Sequence, residues 1–516
     1  MSSGKVAHDY VVVGAGSAGC AMAHRLTEAG ADVLLLEAGQ PDEKEEIHVP
    51  AMFPHLMKSE VDWDYSTTPQ PEMNGRELYW PRGKTLGGSS SINAMIYIRG
   101  VPHDYDTWAE RGNEGWGYDE MLPYFKKAEH FEPGESEYHG QGGPLNVASA
   151  ADPHPVSEAM VDAAAEYGIP RNDDFNGAEQ EGTGLYHVTQ EDGQRCSAAK
   201  AYITPILDRD NLTVETGAQV TEIRFDGDQA VGVSYEQDGD RHEADADAEV
   251  IVSAGAVNSP QLLMLSGIGP AEHLRDHGVD VVADRPGVGQ NLQDHLFGFV
   301  VYERTKGGEP APTTNIGEAG GFTYADESAP APDLQFHFAP VYYMEHGFAN
   351  PEEGQGFSIG ATQLRPESRG YVELASDDPH DDPIIDPQYF SEQTDLDVIV
   401  EGVKQAREIA QQDALEEWRG EEVWPGEDVQ TDEEIEEHVR ETAHTVYHPV
   451  GTCKMGDGEM AVVDDELRVH GVSDLRVVDA SVMPTISSGN TNAPTIAIAE
   501  KAAELITEER AVTADD

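Results

Sequence analysis

The chain has 516 residues, enough for two or three ordinary domains or two large interleaved ones, and sets 32 basic against 98 acidic side chains for a formal net charge of −66. A field of that sign repels phosphate polymers and anionic membrane surfaces, which excludes nucleic acid as a partner and disfavours anionic substrates. The acids are scattered, as in "ASDDPHDDP" and "TDEEIEEHVRE", so they read as a solvated coat suited to a halophilic, high-salt cytoplasm, where the Debye length shrinks to about 3 Å at 1 M salt.

At the N-terminus "MSSGKVAHD" passes into "YVVVGAGSAG" without a basic region or a small-residue cleavage site, so the segment reads as a first strand and not as a signal peptide. No uncharged apolar run is long enough for a membrane span, and none is predicted. Cys20, Cys196 and Cys453 are far apart, odd in number and without CxxC spacing. Neither a disulfide framework nor a zinc site is expected, and no metal is assigned.

Val11 to Val13 form a continuous apolar strand, Ala18, Met22, Leu26 and Ala29 recur at helical spacing, Gly30 suits the helix exit, and Val33 to Leu36 make a second buried strand. This βαβ unit opens a parallel sheet. Its turn, "GAGSAG", places Gly14, Gly16 and Gly19 in G-x-G-x-x-G spacing: the first for the tight turn, the second for close approach of a pyrophosphate, the third for helix–strand packing. Glu37 closes the second strand, where a carboxylate accepts ribose hydroxyls and disfavours the 2′-phosphate of NADP. NAD and FAD share this unit, and it does not choose between them.

Further along, "WPRGKTLGGSSSINAMIYIRG" is a second glycine-rich element with no counterpart in a plain NAD fold. "AEVIVSAGAVNSPQLLMLSGIG" repeats strand, small-residue turn and helix, so the first sheet gains a strand near residue 250 and its domain is discontinuous. "DLQFHFAPVYY" and "FSIGATQLRPESRGYVELAS" read as antiparallel strands of a second domain, and "GGEPAPTTNIGEAGG" and "DESAPAPD" as exposed loops. "TVYHPVGTCKMG" holds His448 between an aromatic ring and a glycine turn; a core histidine and a catalytic base are both open readings at this point. The final "NAPTIAIAEKAAELITEE" is a helix with Ile498, Ala502, Leu505 and Ile506 on one face and Pro494 near its start.

"RGKTLGGSSSIN", "GAVNSPQLLMLSGIG", "PGVGQNLQDH", "HPVGTCKMG" and "DASVMPTISSGNTNAPT" occur in an order, and over nearly the whole chain, that resembles the glucose-methanol-choline (GMC) oxidoreductases, on the choline dehydrogenase-like or alcohol dehydrogenase branch. The resemblance implies an α/β flavoprotein: a Rossmann-like FAD-binding domain over 1–150, 195–297 and 455–516, interleaved with an α+β substrate domain on an antiparallel sheet over 151–194 and 298–454. It implies FAD contacts from Gly14, Gly16, Gly19, Glu37, Arg82, Gly87, Gly88, Asn93, Val220 and Asp479. Some members attach FAD through a histidine before the asparagine of the "SSxN" stretch; here that residue is Ile92, so the FAD is expected to be non-covalent.

Oxidising an alcohol removes a proton from oxygen and a hydride from carbon; the flavin takes the hydride at N5, and a group titrating near neutrality takes the proton. The resemblance assigns the proton to His448, with Asn492 holding the substrate oxygen, and puts the start of the last helix where negative charge develops. His295, His337, His346 and His444 read as core histidines, with His295 also a candidate for the cavity wall. Tyr447, Val446 and Phe297 are expected in the substrate pocket. Choline-oxidising relatives carry an acidic residue where this chain has Phe297, and the stretch from Arg304 to Gly320 is short beside them. The expected reaction is therefore oxidation of an uncharged primary alcohol to its aldehyde, with choline as the alternative and a cyanohydrin lyase as a more distant one. The electron acceptor stays open between oxygen and a quinone-like carrier.

Overall fold

The structure is a computed structural model that describes residues 7–344 and 355–515. The strand Ala7–Val13 leads through the glycine turn into the helix Ser17–Glu28 and the strand Val33–Glu37. All of Val33–Glu37 is buried and Val11 and Val12 have no exposed surface, because they form the centre of a sheet covered on both faces. Its strand order is Leu212–Thr216, Val33–Glu37, Ala7–Val13, Asp240–Val252, Gln229–Gln237, Gln219–Asp226, with Leu475–Val477 also paired to Asp240–Val252. The pairings at its centre are parallel, and Gln219–Asp226 and Gln229–Gln237 extend it as an antiparallel arm.

The strand expected near residue 250 is thus Asp240–Val252, lying beside the first strand although far from it in the chain. The C-terminal helix Asn492–Asp515 packs along Ser17–Glu28. Arg25 joins the two through Glu500, whose fully buried carboxylate also accepts from the Tyr202 hydroxyl at 2.9 Å.

The second sheet is antiparallel, in the order Arg419–Trp424, Leu296–Arg304, Gln355–Gln363, Leu334–Ala339, Ala319–Thr323, Gly182–Leu185, with His444–Thr445 added to Leu296–Arg304. The period of two divides its faces. Leu296, Val300, Tyr302, Leu334, Phe336 and Phe338 join one core with Leu396, Ile399 and Val403 of the helix Gln393–Ala410. The intervening Phe297 and Phe299, and with them Gln335 and His337, fall on the other face.

The two apolar runs flanking "RPESR" are antiparallel strands of different sheets: Gln355–Gln363 belongs to the large sheet, and Gly370–Glu373 joins a small one with Gln290–Leu292 and Ile384–Asp386. Asp395, at the start of the long helix, accepts the backbone N–H groups of Glu367 and Ser368 at 2.8 Å each and draws the chain off the large sheet. Among the described residues no helix is long and apolar enough to cross a membrane.

Candidate active site

One cavity runs between the two sheets, with Gly14, Gly16, Glu37 and Val220 at one end and Phe297, His337 and His448 at the other. At the first end the backbone demands glycine. Gly14 has φ +94°, and a Cβ on Gly19 would lie 1.8 Å from the Gly14 carbonyl oxygen, so only glycine lets the helix sit on its own turn. A Cβ on Gly16 would meet nothing within 4 Å: this residue faces open cavity. The helix behind it has no side-chain cap and no acid in its first turn, leaving N–H donors and a positive dipole end for an anion.

Glu37 is 6 % exposed and accepts from the N–H groups of Ala15 at 2.9 Å and Gly39 at 2.8 Å. Burial pushes its carboxyl up to about 7, and each oxygen keeps lone-pair capacity for a ribose hydroxyl. Ser253 lines the same end with a buried hydroxyl that has no partner among the described residues. The second glycine-rich loop lies directly on the first. Gly87 N–H donates to the Ala15 carbonyl at 2.7 Å, and a Cβ on Gly88 would come within 2.7 Å of Gly16 Cα. Arg82, Gly88, Asn93 and Asp479 line the cavity; Gly19 and Gly87 stand behind its wall. Asp479 also holds the entry of the helix Gly255–Leu265, accepting from Gly255 N–H at 2.8 Å and Ser259 Oγ at 2.5 Å. An uncapped helix end, a glycine cradle, a buried carboxylate and an orphaned hydroxyl together fit a dinucleotide.

At the other end the chain is held in a strained conformation. Tyr447 has φ +69°, a region that costs a residue with a Cβ. Its N–H donates to Thr445 Oγ1 and its carbonyl accepts from Arg82, both at 2.6 Å. His448 N–H donates to Asp294 at 2.8 Å, and Asp294, whose carboxyl burial pushes up to about 6, also accepts the Tyr389 hydroxyl at 2.5 Å.

The tautomer of His448 follows from its partners. His295 Nε2 lies 3.1 Å from the Leu364 carbonyl oxygen, which only accepts, so that nitrogen carries the proton. Burial drives His295 down to about 3, so the ring is neutral and its Nδ1 is a lone pair. His448 Nδ1, 3.0 Å away, is therefore the donor, and His448 Nε2 is left unprotonated, 3.2 Å from Asn490 Nδ2. Burial first, and with it the charge of Arg82, holds His448 well below the ordinary imidazole value. The result is a neutral ring with a bare nitrogen toward the cavity, the state of a proton acceptor.

Around it the walls are aromatic and aliphatic and, among the described residues, without a carboxylate. The Phe297 ring centroid lies 4.1 Å from that of Phe299 and 4.5 Å from that of His444, with Tyr343 at 6.0 Å. Val446, Tyr447, Ala339 and Ile316 also line this cavity, the last from the short stretch after Arg304. His337 rests on Thr362 Oγ1 at 3.1 Å, and burial pushes it down to about 4, so it brings no charge. Among the described residues the carboxylates on the cavity wall are Glu37 and Asp479, both among the nucleotide-end groups.

Two site expectations are corrected. Asn492 does not meet His448: it opens the last helix, and its Oδ1 accepts from Ser17 Oγ at 2.7 Å. Asn490, two residues earlier and still in the loop, takes the place beside the ring, its Oδ1 held by Gln335 Nε2 at 3.4 Å. His295 is not a mere core histidine, since it bonds His448, although it does not reach the cavity wall. Its signal in the sequence was its place two residues before Phe297, at the entry of one strand. His444 is fully buried in a strand, His337 lines the cavity, and His346 lies outside the described residues. Among the described residues no group of three or more His, Cys, Asp and Glu side chains could hold a metal.

The GMC oxidoreductase family matches residues 8–297 and 366–499. Mitochondrial choline dehydrogenase of Mus musculus is 45 % identical over 98 % of this chain and 90 % of its own length, and alcohol dehydrogenase [acceptor] of Pseudomonas putida is 44 % identical over 97 % and 95 %. Among solved structures, pyridoxine 4-oxidase from Mesorbium loti superposes with a TM-score of 0.92 at 36 % identity, covering 96 % of this chain and 98 % of that one.

Proposed function

The chain belongs to the GMC oxidoreductase family, whose members are FAD-dependent oxidoreductases acting on CH–OH groups, and from that premise we propose that it oxidises an uncharged primary alcohol to the aldehyde with His448 as the general base. The observation that carries this reading is the bare Nε2 of His448 in an aromatic pocket end without a carboxylate.

FAD, when bound, supplies the hydride acceptor at N5. The residues do the rest. Before substrate enters, the Asn490 N–H occupies the His448 lone pair. A hydroxyl placed between them donates its proton to His448 Nε2 and accepts from Asn490, so that base and oxygen-holder act on one atom. Thr491, Asn492 and Thr495 bring the start of the last helix to the cavity, without an acid in its first turn, which favours negative charge developing there. Ile92 offers no atom for a covalent link, which supports a dissociable FAD.

The two relatives, one named for choline and one for alcohol, are about equally similar, and the pocket supports the neutral substrate. Choline would bring a quaternary cation into aromatic walls that offer cation–π contacts but no counter-charge, and a desolvated cation without a partner is costly. The acid-rich coat supports a high-salt setting. The test is a panel of primary alcohols, choline included, in molar KCl without air, read by loss of flavin absorbance. A preference for choline over every neutral alcohol contradicts the proposed substrate class.

A further inference from the structure

Arg195 is 1 % exposed, and nothing in the mechanism above uses it. Its Nε donates to the Ile47 carbonyl at 2.7 Å, and Nη1 donates to the Ser90 carbonyl at 3.1 Å and to Asn93 Oδ1 at 2.8 Å. Nη2 is buried with no partner among the described residues. Burial alone lowers this guanidinium, to about 9, and among the described residues no acid is near enough to oppose it, although the chain holds 98 acidic residues. An unpaired buried cation is among the costlier features a fold can carry, and it is tolerated where an anion or a polar ligand completes it.

The hydrogen bonds show what it does to the cavity wall. Asn93 Oδ1 accepts from Arg195 and also from Met95 N–H at 3.0 Å. Guanidinium and backbone N–H only donate, so the amide cannot be turned round. Its Nδ2 is directed away from both, on a residue that lines the cavity, and among the described residues no group accepts from it. Ser90 belongs to the turn Gly88–Ser91, which lies on Gly16 of the dinucleotide loop. The cation therefore stands directly behind the wall against which FAD binds.

We propose that Arg195 is a positioning residue for the cofactor: through Asn93 it aims an N–H donor at FAD, and its unpaired charge favours the more negative, reduced state of the flavin. This rests on the binding of FAD and is independent of which alcohol is oxidised.

The test compares wild type, Arg195→Met, Arg195→Lys and Asn93→Ala as purified holoenzymes. The flavin midpoint potential is measured by equilibrium reductive titration against a reference dye, beside the FAD dissociation constant and the melting temperature. Arg195→Met is expected to weaken the preference for reduced over oxidised flavin at least tenfold, a potential about 30 mV more negative for two electrons. Asn93→Ala moves it in the same direction, and Arg195→Lys, which keeps the charge but not the grip on Asn93, moves it less. An Arg195→Met enzyme that melts earlier but keeps the wild-type potential makes the residue purely structural and overturns the proposal. If Arg195→Met does not fold, unchanged potentials in both Arg195→Lys and Asn93→Ala overturn it. A wild type that takes up no FAD would instead defeat the flavin assignment itself, before any variant is compared.

Discussion

Nδ1 of His295 lies 3.0 Å from Nδ1 of His448, and the other nitrogen of His295 is committed to the Leu364 carbonyl at 3.1 Å. A ring absent from the cavity wall thus decides which nitrogen of His448 is free to take a proton. Replacing His295 with leucine is expected to slow flavin reduction by about 10²-fold, within the range of a general base, with FAD still bound. His295→Asn, whose carbonyl oxygen can still accept from His448 Nδ1–H, is expected to recover part of the rate. The pH profile moves too. His295 is neutral and accepts from His448 Nδ1–H, a bond that strengthens when His448 takes a proton, so losing His295 makes His448 a weaker base and shifts the acid limb to lower pH. Equal rates and an unshifted limb in His295→Leu would show that the ring pair is packing alone.

The two asparagines of "GNTNAPT" separate by role. Asn490→Ala removes the amide beside His448 and is expected to lower the reduction rate by about 10²-fold with little change in FAD retention. Asn492→Ala removes the acceptor for Ser17 at the joint of two helices and is expected to weaken FAD retention more than the rate at saturating FAD. Stopped-flow reduction and FAD titration of both variants decide, and the opposite pattern returns the catalytic role to Asn492.

Phe297 stands among Phe299, Tyr343 and His444, at the position where the resemblance to choline-oxidising enzymes implies an acid. Phe297→Glu is expected to raise kcat/KM for choline relative to a neutral aromatic alcohol by about tenfold or more, since one charge–charge contact of about 1.4 kcal/mol suffices for that ratio. An unchanged ratio in a folded variant removes Phe297 from the determinants of substrate charge.

The net charge of −66 predicts self-repulsion in dilute buffer. Raising KCl from 0.1 M to 1 M shortens the Debye length from about 10 Å to about 3 Å, so the melting temperature is expected to climb with salt. Screening also weakens exposed ion pairs such as Lys306 with Glu417 and Arg171 with Asp162, but each such pair contributes little. A melting temperature that is flat or falls with KCl contradicts the high-salt reading.

The nucleotide end was legible because local backbone geometry dictates it. Gly14 is required by its positive φ and Gly19 by its closeness to the Gly14 carbonyl, Gly16 faces the open cavity between them, and Glu37 ends the adjoining strand. His448 was legible as a residue, but its state was not, since that depends on His295 and Leu364, which only the fold brings near. Asn490 and Asn492 are the same amide two positions apart, and which one faces the ring depends on where the last helix starts and on Ser17, 475 residues away in sequence from Asn492. Arg195 carries no motif that marks it as unpaired; only the absence of an acid around it among the described residues does so.

The central claim is that one neutral imidazole takes the alcohol proton as the flavin is reduced. The most direct measurement is anaerobic flavin reduction by a neutral primary alcohol in molar KCl, wild type beside His448→Gln, both with FAD bound. The account predicts bleaching in wild type and a rate about 10²- to 10⁴-fold lower in the variant. Equal rates in the two proteins, or no bleaching of wild type by any alcohol, would contradict it.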